Sequence, residues 1–292
     1  MSARSVPSVD FSVARIAGLT IVNAMVFQEV LADYESQVQR IRQVLQKPDV
    51  VSAFAGHWDE IVTQINYHPI FYVAKELLLI LPSNPDVEQA VRELAQTALD
   101  IVRQRAALRH DLMGRVYHKL LTTAKYLGTY YTSVPAATLL LKLTLKSEDW
   151  KLNWGDEGEL GFLRIADLAC GTGTLLMAAA EAVTDNYLRA CGEQRKTPKL
   201  DILSQLLMQD VIWGYDVLLS ALHLTASTLA LRAPEVTFRL LHLYNMPLGG
   251  RAHSLGSIEF LREYSVPIRV DMFGGESSSE QVADRGDLRG RI

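Results

Sequence analysis

The sequence predicts an α/β chain: a helical N-terminal domain over residues 1–120, a partial doubly wound sheet over 121–273, and a flexible tail over 274–292. Three observations lead there. Roughly the first 120 residues carry apolar positions at helical spacing, with no hairpin signal and no internal repeat. Beyond Leu121 the apolar segments alternate strand, helix, strand, helix, strand, the order of a parallel sheet with crossover helices. From Gly274 onward Gly, Ser, Glu, Asp and Arg follow one another without period, a composition that buries little.

The clearest helical start is Asn84-Pro85-Asp86. Asn84 can accept from an otherwise unpaired amide, and Pro85 lacks the amide that would go unsatisfied. Val87, Val91, Leu94, Ala98, Ile101 and Val102 then form one apolar stripe. The spacing also predicts helix over about Val13 to Leu45 and Trp58 to Leu81. Ser133-Val134-Pro135 opens a short helix, Ala136 to Leu145, and polar Ser147 to Gly161 reads as a loop. Phe162 to Leu168 is the first strand, Leu175 to Leu188 a helix and Asp201 to Met208 a shorter one. Val211 to Asp216 is the second strand, Leu218 to Leu231 a helix, and Val236 to Leu241 the third strand, closed by Pro247, Gly249 and Gly250.

Lys and Arg number 29 against 33 Asp and Glu, a net charge of −4, so the chain as a whole lacks a strongly basic nucleic-acid signature. Residues 101–151 differ: nine Lys/Arg against three acids give +6. Such a face suits a polyanion, or is a solvated helix surface. Two cysteines, Cys170 and Cys191, make neither a disulfide framework nor a four-thiolate zinc site. No unbroken apolar run reaches membrane-spanning length, the richest stretch being Phe71 to Leu81, interrupted by Lys75 and Glu76. No signal peptide is recognisable in Met1 to Arg15. A cytoplasmic protein with no membrane contact is expected. His110, His118, His223, His242 and His253 are scattered without ligand spacing, so no metal is expected.

The most informative residues are Ala166-Asp167-Leu168-Ala169-Cys170-Gly171-Thr172-Gly173-Thr174. Two glycines between strand and helix allow a tight turn and close approach of a ligand. The helix that follows offers unpaired amides and a partial positive charge to a carboxylate or phosphate. A dinucleotide fingerprint would place a third glycine at Leu176, and a phosphate loop would end in Gly-Lys-Ser/Thr; neither is met. Asp167 would repel a pyrophosphate and attract an ammonium, while Asp216 can accept from a ribose diol. A nucleoside with an amino-acid tail, S-adenosylmethionine, satisfies both. A plain tight turn in which Asp167 caps the helix is the competing reading.

Asp167-Leu168-Ala169-Cys170-Gly171-Thr172-Gly173 resembles the cofactor motif of adenine-specific DNA methyltransferases, especially the modification subunits of type I restriction systems. Asp111-Leu112-Met113-Gly114-Arg115-Val116-Tyr117-His118 resembles the helical signature ahead of that family's catalytic domain. Gly128-Thr129-Tyr130-Tyr131-Thr132-Ser133 resembles its Gly…Tyr/Phe-Thr-Pro segment, with Ser133 where the family has proline. Gly214-Tyr215-Asp216 is similar to the second-strand acid, and Gly256-Ser257-Ile258-Glu259-Phe260 to the motif after the third strand. The similarity runs from about Arg109 to Phe260, in the family's order.

The resemblance implies a class I, Rossmann-like methyltransferase sheet with S-adenosylmethionine as cofactor. It implies cofactor contacts from Tyr131, Thr132, Asp167, Ala169, Gly171, Gly173, Asp216 and Val217, with Tyr131 alternatively a core aromatic. Ser257 would lie near the target-base pocket. Arg109, Arg115, Lys119 and Lys125 would meet the DNA backbone or, equally, another subunit. The family's Asn/Asp-Pro-Pro-aromatic motif, which holds the flipped adenine, does not occur in the sequence; Asn84-Pro85 is followed by Asp86. No catalytic residue is therefore assigned. The expectation is the N-terminal part of a DNA methyltransferase, inactive alone, ending at Ile292 about where a fourth strand would begin. DNA and a specificity or restriction subunit are its expected partners, and an unpaired sheet edge would favour oligomers. A non-catalytic nucleoside-binding scaffold of a defence complex, or a methyltransferase acting on protein or a small molecule, are the alternatives.

Overall fold

The computed structural model describes residues 11–65, 67–104, 116–117, 119–120, 132–236, 238, 240–246, 248–249 and 254–255. The tail over 274–292 lies outside them. The described chain is a helix-rich α/β structure with a small parallel sheet.

Helices α1 (Phe11–Leu31), α2 (Ile41–Val44), α3 (Val50–Glu60), α4 (His68–Leu79) and α5 (Pro85–Arg103) build the N-terminal bundle. α1 packs on α4 and α5, and α3 on α4. The expected helix over Val13 to Leu45 is broken after Leu31, and that over Trp58 to Leu81 is split: its first residues belong to α3, which starts earlier, a π-helical turn follows at Ile61–Ile65, and α4 begins anew at His68. Asp49 causes the earlier start: its side chain accepts from the Ser52 amide at 2.9 Å and caps α3. α5 follows the expectation closely. Asn84 Oδ1 accepts from the Val87 amide at 2.9 Å, Pro85 takes the first position, and Val91, Ala95, Ala98 and Leu99 are buried. Val13–Leu31, rather than Phe71 to Leu81, is the stretch with the length and hydropathy of a membrane span. Just over half of it is buried inside the chain, the position of a core helix.

Beyond the bundle, α6 (Val134–Thr144) begins at Ser133 and Pro135 as expected. The expected loop over Ser147 to Gly161 contains a helical turn at Ser147–Asp149 and a short helix α7 (Glu157–Leu160), capped by Asp156. Strand β1 (Ile165–Asp167) is shorter than expected, and Phe162, 84% exposed, stands outside it. α8 (Thr174–Glu193), α9 (Leu200–Leu206) and β2 (Ile212–Asp216) follow, then α10 (Leu219–Ala230).

The third strand is displaced: β3 is His242–Asn245, not Val236 to Leu241. Val236, Phe238 and Leu241 are buried as core without joining the ladder, whose register opposes Trp213 to His242 and Asp216 to Asn245. The sheet is parallel in the order β1-β2-β3, and among the described residues β1 is paired on one side only. A separate antiparallel pair joins β4 (Leu248–Gly249) to β5 (Ser254–Leu255).

The two regions share a core across α10, which packs on α1, α4, β2, β3 and α8. Its residues Ala221 to Ser227 are all buried, the polar ones included. Asn23 of α1 donates through Nδ2 to Ser227 Oγ at 2.6 Å and to His223 Nε2 at 3.1 Å. His223 Nδ1 then donates to the Pro69 carbonyl at 3.3 Å, which defines a neutral imidazole.

Burial pushes the His223 pKa from 6.5 down to about 4. Between those values the unfolded chain binds a proton that the folded chain refuses. The stability contributed by neutral His223 is therefore whole above pH 6.5 and drains away as the pH falls toward 4, by on the order of 3 kcal/mol. Urea denaturation between pH 7 and 4.5 should show that loss, and His223→Gln should flatten it; equal slopes for the two proteins would refute the assignment.

Candidate cofactor-binding site

The turn from β1 into α8 is built from three demands on the backbone. Gly171 and Gly173 adopt φ of +56° and +86°, the left-handed region that glycine enters without a Cβ penalty. A Cβ on Gly171 would meet nothing within 4 Å, so the turn presents an open face there. A Cβ on Gly173 would come within 2.8 Å of the Thr225 methyl. The Cys170 amide donates to the Tyr215 carbonyl at 2.9 Å and ties the turn to β2.

Asp216 closes the arrangement. Only 7% exposed at the end of β2, it accepts from the Gly171 amide at 2.8 Å through Oδ2 and from the Leu218 amide at 2.8 Å through Oδ1. Each carboxylate oxygen has two acceptor directions, and among the described residues one on each is taken. Its own carbonyl accepts from Met246 N at 2.9 Å and Asn245 Nδ2 at 3.2 Å.

Asp167, half-buried at the end of β1, accepts from the Ala169 amide at 3.1 Å. Burial raises its pKa; the Ala169 amide works against that rise, and the Asp216 charge adds to it. Among the described residues neither acid is ion-paired. A carboxylate raised by desolvation and a like neighbour gains most when a cation arrives. Burial and the two acids likewise push the Cys170 thiol up, which keeps it protonated.

The structure brings Asp167, Ala169, Gly171, Gly173, Asp216 and Val217 around one turn. Ala169 and Val217 are exposed, as is Thr132 ahead of α6. Tyr131, Ser257, Arg109, Arg115 and Lys125 lie outside the described residues; Lys119 is exposed. Elsewhere in the basic stretch, Arg103 pairs with Asp100 at 2.8 Å and Lys142 with Asp185 at 3.0 Å, so part of its charge is already balanced. Tyr117, from the segment ahead of the turn, is buried with its hydroxyl 2.9 Å from Ser220 Oγ. Burial raises its pKa, and Asp216 adds to that rise.

Sequence reasoning missed Thr225. Its Oγ1 donates to the Gly171 carbonyl at 2.8 Å. Its place among the polar residues His223, Ser227 and Thr228 in the helical run Ala221 to Leu231 was the available signal, and it does not single Thr225 out. The Thr172 hydroxyl is buried without a partner among the described residues.

No protein-family model, curated protein or solved structure matches the chain.

Gly173→Ala forces a positive φ and an overlap with Thr225, and should cost about 2–4 kcal/mol. Gly171→Ala meets strain alone and should cost about 1–2 kcal/mol. Urea midpoints should rank the two in that order; the reverse ranking would contradict the turn geometry.

Proposed function

We propose that this chain is the cofactor-binding part of an S-adenosylmethionine-dependent, adenine-specific DNA methyltransferase related to type I modification subunits, on a Rossmann-like sheet. The observation that carries the proposal is the bond from the Gly171 amide to Asp216. It ties the end of β2 to the glycine turn that follows β1 and opens a 20-residue helix, with a second strand-terminal acid, Asp167, on the same turn.

The residues fit the cofactor. Asp167 has no cationic partner among the described residues and would hold the ammonium. The first amides of α8, which have no intrahelical acceptors, would hold the carboxylate over the open face of Gly171. The remaining acceptor directions of Asp216 would take the ribose hydroxyls, and Val217 would pack on the adenine. Tyr131 and Thr132 would cover the site from the preceding segment. When bound, the cofactor supplies an electrophilic methyl group.

On this reading Arg109, Arg115, Lys119 and Lys125 contact DNA, and Ser257 borders the target-base pocket. A specificity or restriction subunit completes the assembly in the cytoplasm. Among the described residues β1 is paired on one side only, which supports association of copies through that edge. Without an Asn-Pro-Pro-aromatic motif the chain binds cofactor but does not transfer methyl by itself.

One observation favours the second reading, a non-catalytic nucleoside-binding scaffold. Both Asp216 oxygens already hold backbone amides, so the acid has a structural task whatever the ligand.

Calorimetry with S-adenosylmethionine and S-adenosylhomocysteine should give micromolar binding. Asp216→Asn should weaken it at least about tenfold, ~1.4 kcal/mol. A folded wild-type sample that gives no heat with either compound, or an Asp216→Asn variant that binds equally well, would sink the cofactor assignment.

A further inference from the structure

We propose that Thr225 is a positioning residue for the cofactor turn, held in place by the N-terminal bundle through α10; the inference rests on the cofactor reading above. Gly171 is gripped at both its polar groups. Its amide donates to Asp216 of β2, and its carbonyl accepts from Thr225 Oγ1 at 2.8 Å. The same hydroxyl lies 3.1 Å from the Ala221 carbonyl, its ordinary partner within the helix, so its proton is shared toward the turn. The Thr225 methyl occupies the volume that a side chain on Gly173 would need. One side chain thus sets the peptide orientation at Gly171 and excludes alternatives at Gly173.

The grip works only if α10 is fixed. Ser220, His223 and Ser227 recur at i, i+3 and i+7, so they share a helix face turned away from Thr225. Tyr117 meets Ser220, and Asn23 holds both His223 and Ser227. The Pro69 carbonyl takes the other His223 nitrogen. A shift of α10 toward or away from the turn would break these buried bonds, each costly to leave unmade. The bundle therefore supports the turn from behind.

Thr225→Val keeps the shape and removes the hydroxyl, while Thr225→Ser keeps the hydroxyl and removes the methyl. Amide hydrogen exchange of peptides spanning 168–177 reads the turn directly, with or without cofactor. Calorimetry with S-adenosylhomocysteine reads the site, and thermal melting controls for global stability. Thr225→Val should exchange at least tenfold faster across the turn and bind at least tenfold more weakly, while Thr225→Ser stays within threefold of wild type in both. Should Thr225→Val fail to fold, the pair Thr225→Ser and Thr225→Ala isolates the hydroxyl by the same measurements. Wild-type exchange in the variants that lack the hydroxyl overturns the proposal, as does equal damage in Thr225→Ser. If wild-type protein gives no heat with S-adenosylhomocysteine, the cofactor reading falls, and the exchange comparison alone decides whether Thr225 sets the turn.

Discussion

The arrangement around the glycine turn depends on one charge-assisted hydrogen bond, from the Gly171 amide to the Asp216 carboxylate. A nearly buried carboxylate without donors would be driven toward its neutral form; two backbone amides supply what water cannot. The same bond fixes the glycine in a conformation that a free loop would visit only among others. Asp216 therefore links strand, turn and helix. Asp167 is the complement: among the described residues it accepts from the Ala169 amide and has no ion pair, and burial raises its pKa.

α10 extends that organisation to the rest of the molecule. Its residues Ala221 to Ser227 are all buried, which is uncommon for a helix carrying His223, Thr225 and Ser227. Each of these finds a partner on a different element, so the polar residues specify how the helix sits, where apolar packing alone would allow it to rotate. The boundary at residue 120 is accordingly weak in physical terms. α1 and α4 pack on α10 as parts of one apolar interior.

Local chemistry was legible in the sequence. The Asn84 cap, the glycine turn with its flanking acids and the start of α6 at Ser133 all depend on a few adjacent residues. The misplaced third strand shows the opposite case. Val236 to Leu241 has the composition of a strand, yet pairing with β2 falls to His242–Asn245, where aromatic side chains stack against Trp213 and Tyr215. Burial and ladder membership are separate properties, and hydropathy reports only the first. Asn23 and His223 could not have been paired by inspection, because 200 residues separate them and neither belongs to a local pattern. Thr225 was closer to view, though its role depends on a turn 54 residues away.

That separation also bears on how the chain is made. α1 leaves the ribosome well before α10, which packs against it and is complete only at Ala230. At ordinary translation speeds of roughly 5–20 residues per second, about 10–40 s pass between the two. Through that interval α1 lacks one of the helices that cover it, and a nascent chain in that condition is a natural client for chaperones.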